Sequence, residues 1–131
     1  MLNDEVQFYW VLFTTMLVGV NLLFAIRFIK NATLRFGLSI SVVLLISFVT
    51  GIRGEGIGLD TSNYSFYYKV SEKKFYEPIF NLIFSVFNLF SSDVVFVFLF
   101  INLLINLLFL LAAKNVMKND YPIVMAIYFS S

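Results

Sequence analysis

Residues 94–113 read VVFVFLFINLLINLLFLLAA, twenty residues without a charge, closed by Lys114 and Lys118. At about 1.5 Å of rise per residue, a helix of that length crosses the roughly 30 Å hydrocarbon core of a bilayer. Its only strongly polar side chains are Asn102 and Asn106, one turn apart on one face. An amide in hydrocarbon needs a partner, so this face is expected to pack on another helix. Two runs of the same kind lie upstream, Val6 to Ile26 and Phe36 to Ile52. The first is read as a retained span and not as a signal peptide. Asp4 and Glu5 stand where a signal peptide carries positive charge, and the run is too long for an h-region. Tyr9 and Trp10 near its start suit the aromatic belt at a membrane interface. The predicted fold class is therefore all-α, a polytopic transmembrane helical bundle.

Composition agrees. Of 131 residues, 60% are hydrophobic and 13% charged, and Phe alone occurs 17 times. A soluble domain carries about 25% charged residues, and so many large apolar side chains exceed what one small soluble core can bury. Cysteine and histidine are both absent. That excludes disulfides, thiolate nucleophiles, His general bases, Ser-His-Asp triads and His- or Cys-ligated zinc within these residues. The net charge of +1 gives no electrostatic case for nucleic acid as a partner. No residue pattern calls for a metal or a cofactor.

Charge at the ends of the runs sets an expected orientation. Arg27, Lys30 and Arg35 lie between the first two runs with no acidic residue among them. The positive-inside rule puts them, and likewise Lys114 and Lys118, in the cytoplasm. The N-terminus and residues 53–77 then face outward. Pro78 suits the first turn of a helix, and PIFNLIFSVFNLF, residues 78–90, is too short to span. It is predicted as a re-entrant or interfacial helix. Asn81, Ser85, Asn88 and Ser92 would form a polar stripe along it, facing protein or a wet cavity. Residues 121–131 begin a further apolar segment, with Pro122 near its start, that is too short to cross. The chain is on this ground expected to be the N-terminal fragment of a longer membrane protein, and to be inactive alone.

Between the second run and Pro78 stands the most polar stretch, RGEGIGLDTSNYSFYYKVSEKKFYE, residues 53–77. Its four basic and four acidic residues balance. Gly54, Gly56 and Gly58 open it as a loop, and Asp60 suits the N-cap of a short helix that gathers Tyr64, Tyr67 and Tyr68 on one side.

The string RGEGIGLDTSNY, followed by EPIFNLI, resembles the signature region of the EpsG/Wzy-type polysaccharide polymerases. That pattern is an Arg, a Gly-x-Asp-[Thr/Tyr], a Tyr, and a Glu-Pro-x-Phe helix start. It is matched here at Arg53, Gly58, Asp60, Thr61, Tyr64, Glu77, Pro78 and Phe80, with a short insert between Tyr64 and Glu77. The resemblance implies a multi-pass protein of the bacterial cytoplasmic membrane with a GT-C-like site at its outer face. It implies joining of oligosaccharide repeat units carried on undecaprenyl pyrophosphate. A flippase and a chain-length regulator of the same pathway would be partners, and the lipid bilayer the surroundings. The expected outward placement of 53–77 comes from charge alone and agrees with it.

The chemistry of the residues fits that activity. A guanidinium offers two parallel hydrogen bonds to a pyrophosphate, and Arg53 is the one arginine outside the predicted cytoplasmic loop. An acceptor hydroxyl must lose its proton to a positioned carboxylate, and Asp60 and Glu77 are the local candidates. Tyr64, Tyr67 and Tyr68 offer flat faces and hydroxyls for sugar rings. Each also has a structural role open to it. Arg53 can snorkel at a span end, Asp60 can cap a helix, Glu77 can face the dipole of the helix after it, and the tyrosines can form an interfacial belt. Asn31-Ala-Thr33 and Asn63-Tyr-Ser65 match the glycosylation sequon, the first on the cytoplasmic side. Two other functions remain open at this level, a transporter or flippase segment and a non-catalytic membrane subunit.

Overall fold

The computed structural model describes residues 4–52, 78–90 and 93–131. Five helices follow in order: α1 (Asp4–Ile26), α2 (Ala32–Gly51), α3 (Pro78–Asn88), α4 (Val94–Met117) and α5 (Tyr121–Ser130). Among the described residues all regular structure is helical. Three helices, α1, α2 and α4, are long and apolar enough to cross a membrane.

Capping sets where the helices start. Asn31 accepts a hydrogen bond from the Leu34 amide at 3.1 Å, so α2 begins at Ala32, ahead of the apolar run, and takes Arg35 into its second turn. This cap is a structural use for the asparagine of the first sequon match. Asp93 caps α4 through the Val95 amide at 3.0 Å. At its other end α4 passes the last span residue and continues to Met117, and Lys118, at a φ of 50°, turns the chain toward α5.

α2 and α4 run antiparallel. The start of α2 lies by the end of α4, and Gly51 at the end of α2 lies against Leu99. α1 packs on α2 and on α5. The main core is built from Leu23 and Ile26 of α1, Val42, Val43 and Ile46 of α2, Leu110 and Ala113 of α4, and Tyr121, Met125 and Ala126 of α5. Most remaining large side chains are exposed, as on Phe13, Leu17 and Leu108. Such a surface suits lipid. There, helix association rests on close packing and interhelical hydrogen bonds, because hydrocarbon is as apolar as leucine.

α3 is a helix of 11 residues, about 16 Å long, which is short of a bilayer crossing. Its Ile83 and Phe87 pack against Val94, Val97 and Phe98 of α4. The expected polar stripe lies on the other side of this helix from α4. Ser85 and Asn88 are exposed, and the side turned to α4 is the apolar one. The first turns of α4 offer apolar side chains only, so they select the apolar face of α3.

Candidate functional site

Arg53, Asp60, Tyr64, Tyr67, Tyr68 and Glu77 all fall within 53–77, outside the described residues. The cap at Asp60 and the tyrosine cluster fall there too. The structure does fix the frame on either side. Gly51 comes so close to α4 that a Cβ on it would stand 2.8 Å from the Leu99 Cα. α4 extends about 7 Å beyond that point, and α3, which begins right after Glu77, packs on this extension. Both helices that border the polar segment are therefore set against the same half of α4.

Beneath this end lies a polar ladder between helices. The Asn102 amide donates to the Ser47 carbonyl oxygen at 2.8 Å and also to the Thr50 hydroxyl. The Asn106 amide donates to Ser47 Oγ at 2.9 Å, and the Tyr128 hydroxyl donates to Asn106 Oδ1 at 3.1 Å. Ser47 and Asn106 are buried. Asn102 and Asn106 thus pack as expected, with α2 and α5 as their partners. Ser47, Thr50 and Tyr128 were not singled out from the sequence. A hydroxyl in an apolar run can bond back to its own helix, so spacing alone does not mark it as a partner. The stacked rings of Phe109 and Tyr128, 4.3 Å between centroids, help hold that hydroxyl.

The opposite end carries the basic residues. Arg35, buried, donates to the Ile29 carbonyl oxygen at 3.3 Å and to Asn119 Oδ1 at 2.8 Å. Arg27 pairs with Asp120 at 3.3 Å across half-exposed side chains, and Lys114 lies 3.6 Å from the Phe36 ring centroid. The turn before α2 and the turn after α4 are thereby joined at one end of the bundle, away from the end from which 53–77 departs. Among the described residues, no three carboxylate side chains come together as metal ligands.

With helices as its regular structure among the described residues, and three of them fit to span, the chain is a multi-pass membrane protein. Residues 36–131 match the model of the EpsG family, a stretch that takes in most of α2, all of 53–77, and α3 to α5. The chain belongs to the EpsG family. Comparison with curated proteins and with solved structures returned no match.

Proposed function

We propose that this protein polymerises lipid-linked oligosaccharide repeat units into surface polysaccharide at the outer face of the bacterial cytoplasmic membrane. The observation that carries the reading is membership of the EpsG family over a stretch containing the whole of 53–77. The two joined basic turns at the far end of the bundle support the orientation, since the positive-inside rule gives both the same side.

In the proposed reaction a carboxylate, Glu77 or Asp60, takes the proton of an acceptor hydroxyl on the next lipid-linked unit. The resulting oxygen nucleophile attacks the anomeric carbon of the growing chain. The bond to pyrophosphate breaks, and undecaprenyl pyrophosphate leaves with the electron pair. Arg53 stabilises the charge that grows on the leaving group, through a planar two-donor fork. Tyr64, Tyr67 and Tyr68 stack on the sugar rings.

Chain growth on lipid-linked repeat units, in membranes carrying the full-length protein, tests this. Arg53→Lys keeps the charge and loses the fork. It is expected to slow growth ten- to a hundredfold, because a charge-assisted bond in a partly desolvated site is worth roughly 1.5–3 kcal/mol. Wild-type growth at normal protein levels would mean that Arg53 only snorkels.

A further inference from the structure

The last turn of α2 is held from outside its own helix. Past Gly51 the backbone leaves helical geometry: Ile52 has a φ of −81° and a ψ of 48°, and its amide returns to the Phe48 carbonyl oxygen at 3.0 Å. The carbonyl groups of a last turn have no partner further along the helix, so such an end frays unless something else fixes it. Two contacts from α4 do so. Leu99 lies against the Gly51 backbone. Asn102 reaches two points on α2 from one amide nitrogen, the Ser47 carbonyl oxygen at 2.8 Å and the Thr50 hydroxyl.

The two contacts act differently. The approach of Gly51 to Leu99 sets how near the helices lie, but an apolar contact lets one helix slide or turn against the other. Hydrogen bonds are directional and weaken steeply off their axis. Two of them, to residues three apart on one face of α2, fix its rotation and its height on α4. The groups they reach are also satisfied without Asn102. The Thr50 hydroxyl donates to the Ile46 carbonyl oxygen at 2.8 Å and lies 3.2 Å from that of Ser47, and the Asn106 amide keeps Ser47 Oγ. Loss of the Asn102 amide therefore strands no donor on α2. What is lost is the placement of the helix end.

We propose that Asn102 is a positioning residue for the reaction. Through Ser47 and Thr50 it fixes the end of α2, from which the chain runs on to Arg53, three residues after Thr50. The inference rests on the role given to Arg53 above. A donor that stabilises charge developing on a leaving group works within a narrow tolerance, and a displacement of about 1 Å can cost about a hundredfold in rate. Asn102 plays its part through the helix and not at the reacting atoms.

The 131 residues hold no cysteine, so a nitroxide on Ile52→Cys reports the helix end. In the full-length protein in lipid nanodiscs, with that residue as its one cysteine, Asn102→Leu and Thr50→Val are expected to raise the mobility of the label. Thr50→Ser, which keeps the hydroxyl, and Tyr128→Phe, which removes a ladder bond away from α2, are expected to leave it unchanged. Chain growth per folded protein, measured without the label, is expected to follow. In Asn102→Leu and Thr50→Val, kcat falls about tenfold and KM stays within about twofold; in Thr50→Ser and Tyr128→Phe neither changes. An unmoved label in Asn102→Leu, equal loosening by Tyr128→Phe, or wild-type growth in Asn102→Leu while Arg53→Lys is slow would overturn the positioning role alone. Wild-type growth in Arg53→Lys would overturn the role of Arg53, and the positioning role with it, even where the label loosens.

Discussion

Gly19 and Gly51 are equivalent in the sequence, each a glycine in an apolar helix, and the structure separates them. A Cβ at Gly19 would meet the Ile46 side chain, 2.5 Å from its terminal Cδ1. The Cγ1 of the same side chain would stand at 2.9 Å, and Ile46 is fully buried, so it must shift within the core, a cost set against the roughly 1 kcal/mol of helix propensity that alanine gains over glycine. A Cβ at Gly51 would meet the Leu99 Cα, which is backbone and cannot yield. Gly51→Ala is therefore expected to cost roughly 1–3 kcal/mol through overpacking, and Gly19→Ala, which meets a side chain and not backbone, to cost less. Denaturation of the detergent-solubilised variants checks this, and equal stability of the two would contradict it. The carboxylates are separated by a similar contrast. Asn caps a helix as well as Asp but takes up no proton. Asp60→Asn and Glu77→Gln should each stop chain growth if the residue is the base, and leave it unchanged if it only caps or faces a helix end.

At the scale of elements, the ladder on α4 shows what spacing reveals and what it hides. Two asparagines one turn apart in a charge-free run announce a helix–helix contact, because lipid leaves them no other partner. The partners themselves are far away in the chain, Ser47 and Tyr128 among them, and nothing local marks them. The start of α2 was hidden for a related reason. Hydropathy stops at Arg35, whereas the helix continues back to its cap at Asn31 with the guanidinium held by Asn119. For the candidate site the sequence is the sole source at the level of individual residues, since all six lie outside the described residues, and the structure contributes the helix ends around them. Asn106 ties three helices together. Asn106→Leu strands the Ser47 and Tyr128 hydroxyls and is expected to lower stability by about 1–2 kcal/mol, seen as a shifted unfolding midpoint in detergent. An unchanged midpoint would mean that the ladder adds nothing to the association of α2, α4 and α5.

For the whole molecule, the organising feature is that its ends differ. One end joins two basic turns through Arg35–Asn119 and Arg27–Asp120. From the other end departs the polar segment 53–77, bordered by α2 and by the short α3. The account requires that this second end faces outward, where lipid-linked saccharides are joined, and that α3 does not cross. Reporter fusions of alkaline phosphatase, which is active only outside the cytoplasm, test both requirements in one measurement when placed after Ser65 and after Ser92. Activity at both sites is the predicted result. Silence at both would put the candidate site in the cytoplasm, and activity at one alone would make α3 a crossing helix; either result contradicts the account.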